Sequence, residues 1–526
     1  MHLGFDEKIL NILGTVARAF KASPVHLGKV ISDNSVKEFD KLSKQLKKLE
    51  TDKKRLLDSL EYEDEDTRRY ESIEKRIETT DEKILDLSES YVNLTEGFDE
   101  NMSLVASFLP GLQFCAPKNE AEIINTTRKR KDLTSDNIII SNYLMLTGKN
   151  FISDSSVIRP VNRNTLFALK QYCNRYSWIA PHPVPAVIPV ARPGLNNVHN
   201  YYSVGSLKQP IEPLKKQDIS KASHSPAAML VVVDQESGEF HATHLHVDFI
   251  SKKGYKKESP VILYDGLCFN DKGEVLNLDS KDKGIFETDD HAPYTHAGVL
   301  GAVKGLCSLH KPSVFANGGD ASDCSPVCHH DDNFPGRKEN KRIRDMLLEL
   351  QKLLNFQGSE PSIKTKILLD SNHGQWLTDY VNTNPELKGL LDWESVQRDY
   401  LQDWIVPIRR HGENKPFKFG DYTLRHGDRE PYARGELIFE EGKYLCGHWH
   451  RHQAVRRSVS VGCGGQLSPG YTGNQINDWQ NQVTTMTKYH EVTAIAPKMI
   501  IHNEDKKKSR FCYRDKIYEC DFIELF

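Results

Sequence analysis

Five short polar motifs, each at the end of an apolar run, constrain this chain more than any other feature. Gly284-Ile285-Phe286-Glu287-Thr288 leads into Asp289-Asp290-His291, and Ser313-Val314-Phe315-Ala316-Asn317 leads into Gly318-Gly319-Asp320-Ala321-Ser322-Asp323. Ile367-Leu368-Leu369-Asp370 runs into Ser371-Asn372-His373-Gly374. Tyr422-Thr423-Leu424-Arg425 precedes His426-Gly427-Asp428, and Lys443-Tyr444-Leu445 precedes Cys446-Gly447-His448-Trp449-His450. Each reads as a buried strand followed by a loop of small or polar residues. In open α/β folds, catalytic groups sit just past the carboxyl ends of strands. The intervals between positions 289, 320, 372, 426 and 448 leave room for intervening helices.

The residue types answer the needs of a two-metal hydrolytic centre. Two divalent ions about 4 Å apart activate a bridging hydroxide and clamp a phosphoryl oxygen. Such a site needs a carboxylate able to bridge, imidazoles suited to manganese, iron, zinc or nickel, and a neutral acceptor to limit negative charge. Asp289, His291, Asp320, Asn372, His426, His448 and His450 supply these groups. His373 is not needed as a ligand and is placed to protonate a leaving oxygen or steady the transition state.

The ordered series Asp-x-His, Gly-Asp-x-x-Asp, Asn-His, His-Gly and Gly-His-x-His resembles the calcineurin-like metallophosphoesterase superfamily over about residues 281–480. The resemblance implies an α/β (α+β layered) fold, a two-sheet sandwich flanked by helices. It implies two divalent metal ions, manganese first. Asp289, His291, Asp320 and His450 would hold one, and Asp320, Asn372, His426 and His448 the other. Gly374 stands where the family carries an acidic residue after Asn-His, so support for the ligands must come from elsewhere. His426-Gly427 replaces the family's Gly-His and leaves the ligand in place. Gln466-Leu467-Ser468-Pro469-Gly470-Tyr471 and Asn477-Asp478-Trp479 add a resemblance to phage-encoded, DNA-degrading members of the superfamily.

Other groups have several readings. Asp323 is a ligand or a hydrogen-bonding neighbour. Cys324, Cys328, His329 and His330 form a zinc site, a solvated turn, or a loop in which His329 or His330 touches phosphate. His241, His244 and His246 alternate along a strand, with His244 and His246 on one face. They are a third metal site, or satisfied or solvated histidines. Thr127-Arg128-Lys129-Arg130-Lys131 contacts phosphates or is a solvated loop.

At 526 residues the chain has ample core for two or three domains. The reading is residues 1–134 as a helical N-terminal region, 135–280 as a β-rich accessory region and 281–526 as the catalytic domain. Phe39, Leu42, Leu46, Leu49, Leu56 and Leu60 form one heptad block, with Lys53 in the skipped seam position. Tyr70, Ile73, Ile77, Ile84, Leu87 and Tyr91 form a second, after an acidic break at 61–66. This predicts a helical coiled-coil hairpin over about 35–92, read as a homo-oligomer seam or an arm packed on its own chain. Two short helices are expected before it, at Phe5 to Phe20 and Pro24 to Ile31. In the accessory region, a hairpin is expected over 228–247, with its turn at 234–238, and a further strand at 260–264.

A formal net charge of −3 does not advertise nucleic-acid binding, so such contact must come from local patches. No apolar stretch is long enough for a membrane span, and the ten cysteines show no paired spacing. The expectation is no membrane, free thiols and a reducing cytoplasm, that of the host for a phage-encoded chain. The function expected is a two-metal phosphodiester hydrolase using a metal-bridging hydroxide, with DNA as substrate. The alternatives are a phosphomonoesterase or nucleotide phosphodiesterase, and a nucleic-acid-binding scaffold with a structural metal site.

Overall fold

The computed structural model describes residues 7–20, 25–26, 33–60, 70–86, 113–114, 138–140, 144–145, 151–152, 177–180, 184–190, 199–205, 225–234, 237, 239–251, 258–328, 342–406, 417–428, 432–433, 436–437, 443–455, 457–468 and 477–526. It is a mixed α/β structure with several multi-stranded sheets. The chain divides into two compact units. One comprises Met1–Phe5 with Ser23–Ala116, the other Asp6–Ala22 with Pro117–Phe526.

The second unit is built on a six-stranded sheet. Lys283–Glu287 pairs in parallel with Val314–Asn317, which pairs with Thr365–Leu368, which pairs with Trp404–Ile405. Helices occupy the crossovers: α4 (Ala297–His310), α5 (Ile343–Gln357), then α6 (Asn372–Thr383) and α7 (Trp393–Tyr400). Every residue of Lys283–Glu287 is buried, as expected of a central strand covered on both faces. On its other side an antiparallel pair, Gln482–Tyr489 and Val492–Met499, completes the sheet. The core beneath it gathers Ile285, Phe315 and Leu368 with Val299 and Leu306 of α4 and Leu350 and Leu354 of α5. The register opposes Glu287, Asn317 and Leu368, so three motif loops leave the same edge at the same height.

A nine-stranded sheet delivers the other two motifs. Tyr422–Arg425 and Tyr444–Cys446 run parallel with Arg425 opposite Cys446, so His426 and Gly447 emerge side by side. The far half of this sheet is formed by Ala186–Val190, His199–Ser203, Ser177–Ala180 and Ile138–Ile140. The boundary expected at 280/281 therefore does not separate two bodies. Strands from the expected accessory region hydrogen-bond into the sheet that carries His426 and His448, through Ala454 opposite Val187.

A third sheet of five antiparallel strands runs from Ala227–Val233 to Val275–Asn277 and includes the expected hairpin and the strand Glu258–Tyr264. Helix α1 (Glu7–Ala19) packs Ile9, Ile12 and Val16 onto it against Leu230, Leu245, Ile262 and Phe269. The first predicted helix thus belongs with the β-rich body, not with the N-terminal arm. The second short helix, expected at 24–31, is corrected: Val25–His26 is a strand paired in parallel with Gln113–Phe114. A helix that short gains little from its costly nucleus, and a long-range ladder satisfies the same backbone groups.

In the first unit, the heptad blocks are helical over Asp33–Leu60 (α2) and 70–86 (α3). Ile73 is buried, and Leu49, Leu56, Leu60, Ile77 and Ile84 are half-buried. Lys53, predicted at the seam, meets Asp81 of α3 at 2.5 Å. The side chains of Leu42 and Leu46 and the run 127–131 lie outside the described residues.

The C-terminal strands are tied to the second unit by a buried ion pair. Lys498 Nζ lies 2.7 Å from Asp265 Oδ2, with both side chains essentially inaccessible. Thr485 Oγ1 and the Arg514 amide donate to the same carboxylate. Removing one member strands the other charge, which costs about 3–5 kcal/mol. Lys498→Met should shift the denaturant midpoint by that order at unchanged slope. A loss near zero would mean that Asp265 is adequately held by its neutral donors.

Candidate metal centre

Two backbone features shape the site. The first is left-handed φ at Asp289 (57°), His291 (50°), Asp320 (48°), His448 (70°) and His450 (55°). Non-glycine residues rarely adopt this region, and such strain concentrates where a structure holds functional groups. The second is a lattice of backbone hydrogen bonds between the loops. Asp289 N donates to Gly319 O at 3.0 Å, His291 N to Asp320 O at 2.9 Å, Gly465 N to Asp289 O at 2.9 Å and Gly447 N to His426 O at 2.8 Å. Gly447 has no substitute, since a Cβ there would lie 2.2 Å from Thr288 Oγ1 and 2.3 Å from Asp289 Oδ2.

The side chains form three overlapping groups able to hold a metal ion: Asp289, His291 and His450; His291, Asp320 and His373; and Asp320, His426 and His448. Within each, the donor atoms lie within 4.8 Å of one another. His291 Nε2 and His450 Nε2 face each other at 3.2 Å, and His450 Nε2 is 3.4 Å from Asp289 Oδ1. That oxygen is buried without a hydrogen-bond partner, while Asp289 Oδ2 accepts from Thr288 Oγ1 and the His448 amide. In the other group, His426 Nε2 lies 3.2 Å from Asp320 Oδ2 and 2.8 Å from Asn372 Oδ1. Its Nδ1 donates to Gly318 O at 2.9 Å, which fixes the ring and turns Nε2 toward the carboxylate. Imidazole nitrogens converging on buried, partnerless carboxylate oxygen fit a divalent ion of the manganese-to-zinc series.

Charge explains how these carboxylates stay buried. Burial opposes ionisation of Asp289, yet His450 beside it holds it down at about 2. Burial likewise opposes Asp320, but His373, His426 and His291 keep it well below the usual carboxylate range. Burial alone would lower His426; the charge of Asp320 and its hydrogen bond outweigh that and raise it to about 10.

All seven expected ligands are thus brought together, with His373 beside them. His373 N donates to Asp320 Oδ1 at 3.1 Å from the first turn of α6, which Ser371 caps. His373 Nδ1 donates to Asp323 O at 2.8 Å, so Nε2 is the nitrogen left for the site. Burial lowers its pKa, and the ring stacks on Trp376. Asp323 stands beside these groups: its Oδ1 lies 3.6 Å from His291 Nδ1, its Oδ2 accepts from Ser325, and it belongs to none of the three groups. It supplies support of the kind that the missing acidic residue at 374 left open.

His329 and His330 lie outside the described residues, so their expected contact with phosphate has no structural account. Cys324 and Cys328 are buried outside any disulfide, and burial pushes the Cys324 thiol up to about 12. Neither joins a metal-capable group among the described residues. Nor do the strand histidines: His241 pairs with Glu239 at 2.8 Å, and His244 Nε2 meets Ser203 O at 2.7 Å. Sequence reasoning missed a layer under the site. There Gln357 Nε2 donates to Glu287 and Asp290, and Asn317 Nδ2 donates to Asp290 at 2.9 Å. Burial and mutual repulsion push Glu287 well up. The Asp289-Asp290 doublet was the available signal.

Comparison with known families, curated proteins and solved structures finds no match for this chain. Among the described residues no helix is long and apolar enough to cross a membrane.

The raised His426 has a consequence for the metal-free protein. Its pKa is about 10 folded against an ordinary 6.5. Stability from the charged His426–Asp320 pair is therefore fully present below pH 6.5 and lost as pH rises toward 10. In EDTA, the stability gap between wild type and His426→Ala should be largest below pH 6.5 and shrink toward pH 10. A gap that widens with pH would reverse this assignment.

Proposed function

We propose that this chain is a two-metal phosphodiester hydrolase of the calcineurin-like type, acting on DNA. The observation that carries the reading is the sharing of donors. Asp320 belongs both to the group with His426 and His448 and to the group with His291 and His373, and His291 itself joins Asp289 and His450. A carboxylate common to two donor sets is what a pair of divalent ions requires, and manganese is the first choice for the nitrogen and oxygen mixture. The sheets that deliver the motifs would be the two layers of the family's sandwich. When bound, such ions supply a hydrolytic nucleophile at neutral pH and charge stabilisation for the phosphoryl oxygens.

The protein's own groups do the rest. Thr288 and the His448 amide fix one oxygen of Asp289 and leave the other for coordination. The His373 amide fixes one oxygen of Asp320 in the same way. His373 Nε2 faces the site and is placed to hold a proton at the leaving sugar oxygen. Nδ1–H is committed to Asp323 O, so Nε2 is the nitrogen at which that proton would be held. DNA, rather than a small phosphoester, is supported by the large N-terminal region and by the resemblance to phage-encoded, DNA-degrading members.

The decisive test measures metal content and hydrolysis together. Purified protein with Mn²⁺ should cut linear or supercoiled DNA and a small phosphodiester. Asp320→Ala should lose both bound metal and activity. His373→Ala should keep its metals and lose roughly 100-fold in rate. Two ions retained in Asp320→Ala, or a metal lost from His373→Ala, would overturn the respective roles. Cleavage of phosphomonoesters alone would assign a phosphatase, and metal binding without hydrolysis would assign a structural centre.

Helices α2 and α3 fit an antiparallel hairpin that serves as a self-association arm. Deleting the whole N-terminus would remove α1 and expose the β-sheet beneath it. The informative variant therefore replaces residues 33–86 with a short Gly-Ser linker. It should drop to a smaller mass in light scattering, keep cleavage of the small diester and lose more on long DNA, where multivalent grip counts. An unchanged mass would refute the assembly role.

A further inference from the structure

Three of the six tryptophans of the chain border the centre, each against a different histidine. Trp376 stacks on His373 with ring centroids 3.9 Å apart, Trp479 meets His450 at 4.3 Å, and Trp449 meets His448 edge-on at 5.1 Å. All three are half-buried, so each keeps some surface toward solvent. Trp479 also lines a cleft of ≈ 520 Å³ whose other walls include His296, His502 and Phe522. That volume falls in the usual range for small-molecule sites.

The chemistry of the cleft selects its occupant. His296 and His502 stack on each other at 3.9 Å and 19°. Their nitrogens are already committed. His296 Nδ1 accepts from Gly298 N at 3.0 Å and Nε2 donates to Glu504 at 3.1 Å. His502 Nδ1 accepts from Ser509 Oγ at 2.7 Å and Nε2 donates to Asn481 Oδ1 at 2.9 Å. These rings offer no ligand to a phosphate. The rim carries Glu504 and Glu524 against Lys507, an acidic balance that repels one. Trp479 presents an aromatic wall, its amide held by Asn477 Oδ1, and Gln466 adds an amide group nearby. An uncharged, flat, polar-edged group fits; an anion does not.

We propose that this cleft receives an unpaired nucleobase of the strand being cut, stacked on Trp479, with its phosphate at the neighbouring donor groups. The inference rests on the phosphodiesterase reading and deepens it. A base held in a duplex stack cannot enter, so the preferred substrate is single-stranded or a frayed end. Stacking on an aromatic side chain is worth roughly 1–3 kcal/mol per base, whatever the base.

The test compares a labelled thymidine oligonucleotide with an abasic oligonucleotide of equal length. Fluorescence anisotropy in EDTA gives the ratio of affinities, and Mn²⁺ then gives the ratio of kcat/KM. Taking a ratio cancels backbone repulsion common to both. Wild type should favour the base-bearing strand by roughly tenfold or more. Trp479→Ala should bring the ratio toward one, and Trp479→Phe should largely keep it. Phe522→Ala, in the lining beside His296 and His502, should lower it with metal content unchanged. Equal affinity of wild type for both strands would overturn the cleft and leave the hydrolase reading intact. So would a Trp479→Ala variant that loses metal or rate on both strands at an unchanged ratio, because Trp479 would then only prop His450. Discrimination without hydrolysis of any phosphodiester would keep the cleft and sink the enzyme.

Discussion

Two carboxylates buried side by side are the constraint on which the rest depends. Asp289 is 0 % exposed and Asp320 3 %. Isolated charges in that position would cost far more than a domain's net stability. The fold meets this cost with imidazoles and oriented backbone amides, and each arrives on a different segment. The His448 amide reaches Asp289 from the nine-stranded sheet, while the His373 amide reaches Asp320 from α6 after the six-stranded sheet. The compensation exists only when both sheets are in register, so the electrostatics of the site and the pairing of the strands are one requirement.

Left-handed backbone at five candidate ligands belongs to the same economy. Each residue gives up some local stability to aim its side chain inward. The loop-to-loop hydrogen bonds recover part of it, as where His291 N meets Asp320 O and Gly465 N meets Asp289 O. Asn481 extends the lattice outward, donating to Cys463 O and Gly465 O while accepting from His502. The C-terminal strands, which bear no ligand, thus reach the loop that holds Asp289 through two hydrogen-bonded steps. A substitution at Asn481 would therefore be felt at Asp289 without touching it.

The central strands and the clustering of the candidate ligands were legible because their signals are local. A buried strand writes an apolar run of four or five residues, and a ligand loop writes His, Asp and Gly at its end. The order of the five motifs held the rest of that information. What was not legible depends on distance. Nothing around Ala186–Val190 says that it pairs with Gln453–Val455. Nothing in Glu7–Ala19 beyond an apolar stripe says which surface receives Ile9 and Ile12. The segment at Val25 shows the same limit: a partner nearly ninety residues away decides between helix and strand.

His373 shows why ligand legibility does not extend to proton chemistry. Its place after Asn372 identifies it, but its protonation state is set by the Asp323 carbonyl, by Asp320 and by how deeply Trp376 and His291 cover it. Burial favours the neutral ring and the nearby carboxylate the charged one, and burial outweighs it. On the hydrolase reading proposed above, a phosphodiester would bring negative charge to the side where Nε2 points. The same ring that is neutral at rest can then gain a proton at the position where a leaving oxygen would need it. Such a switch would require no moving part, only the arrival of charge within a few ångströms of a desolvated imidazole.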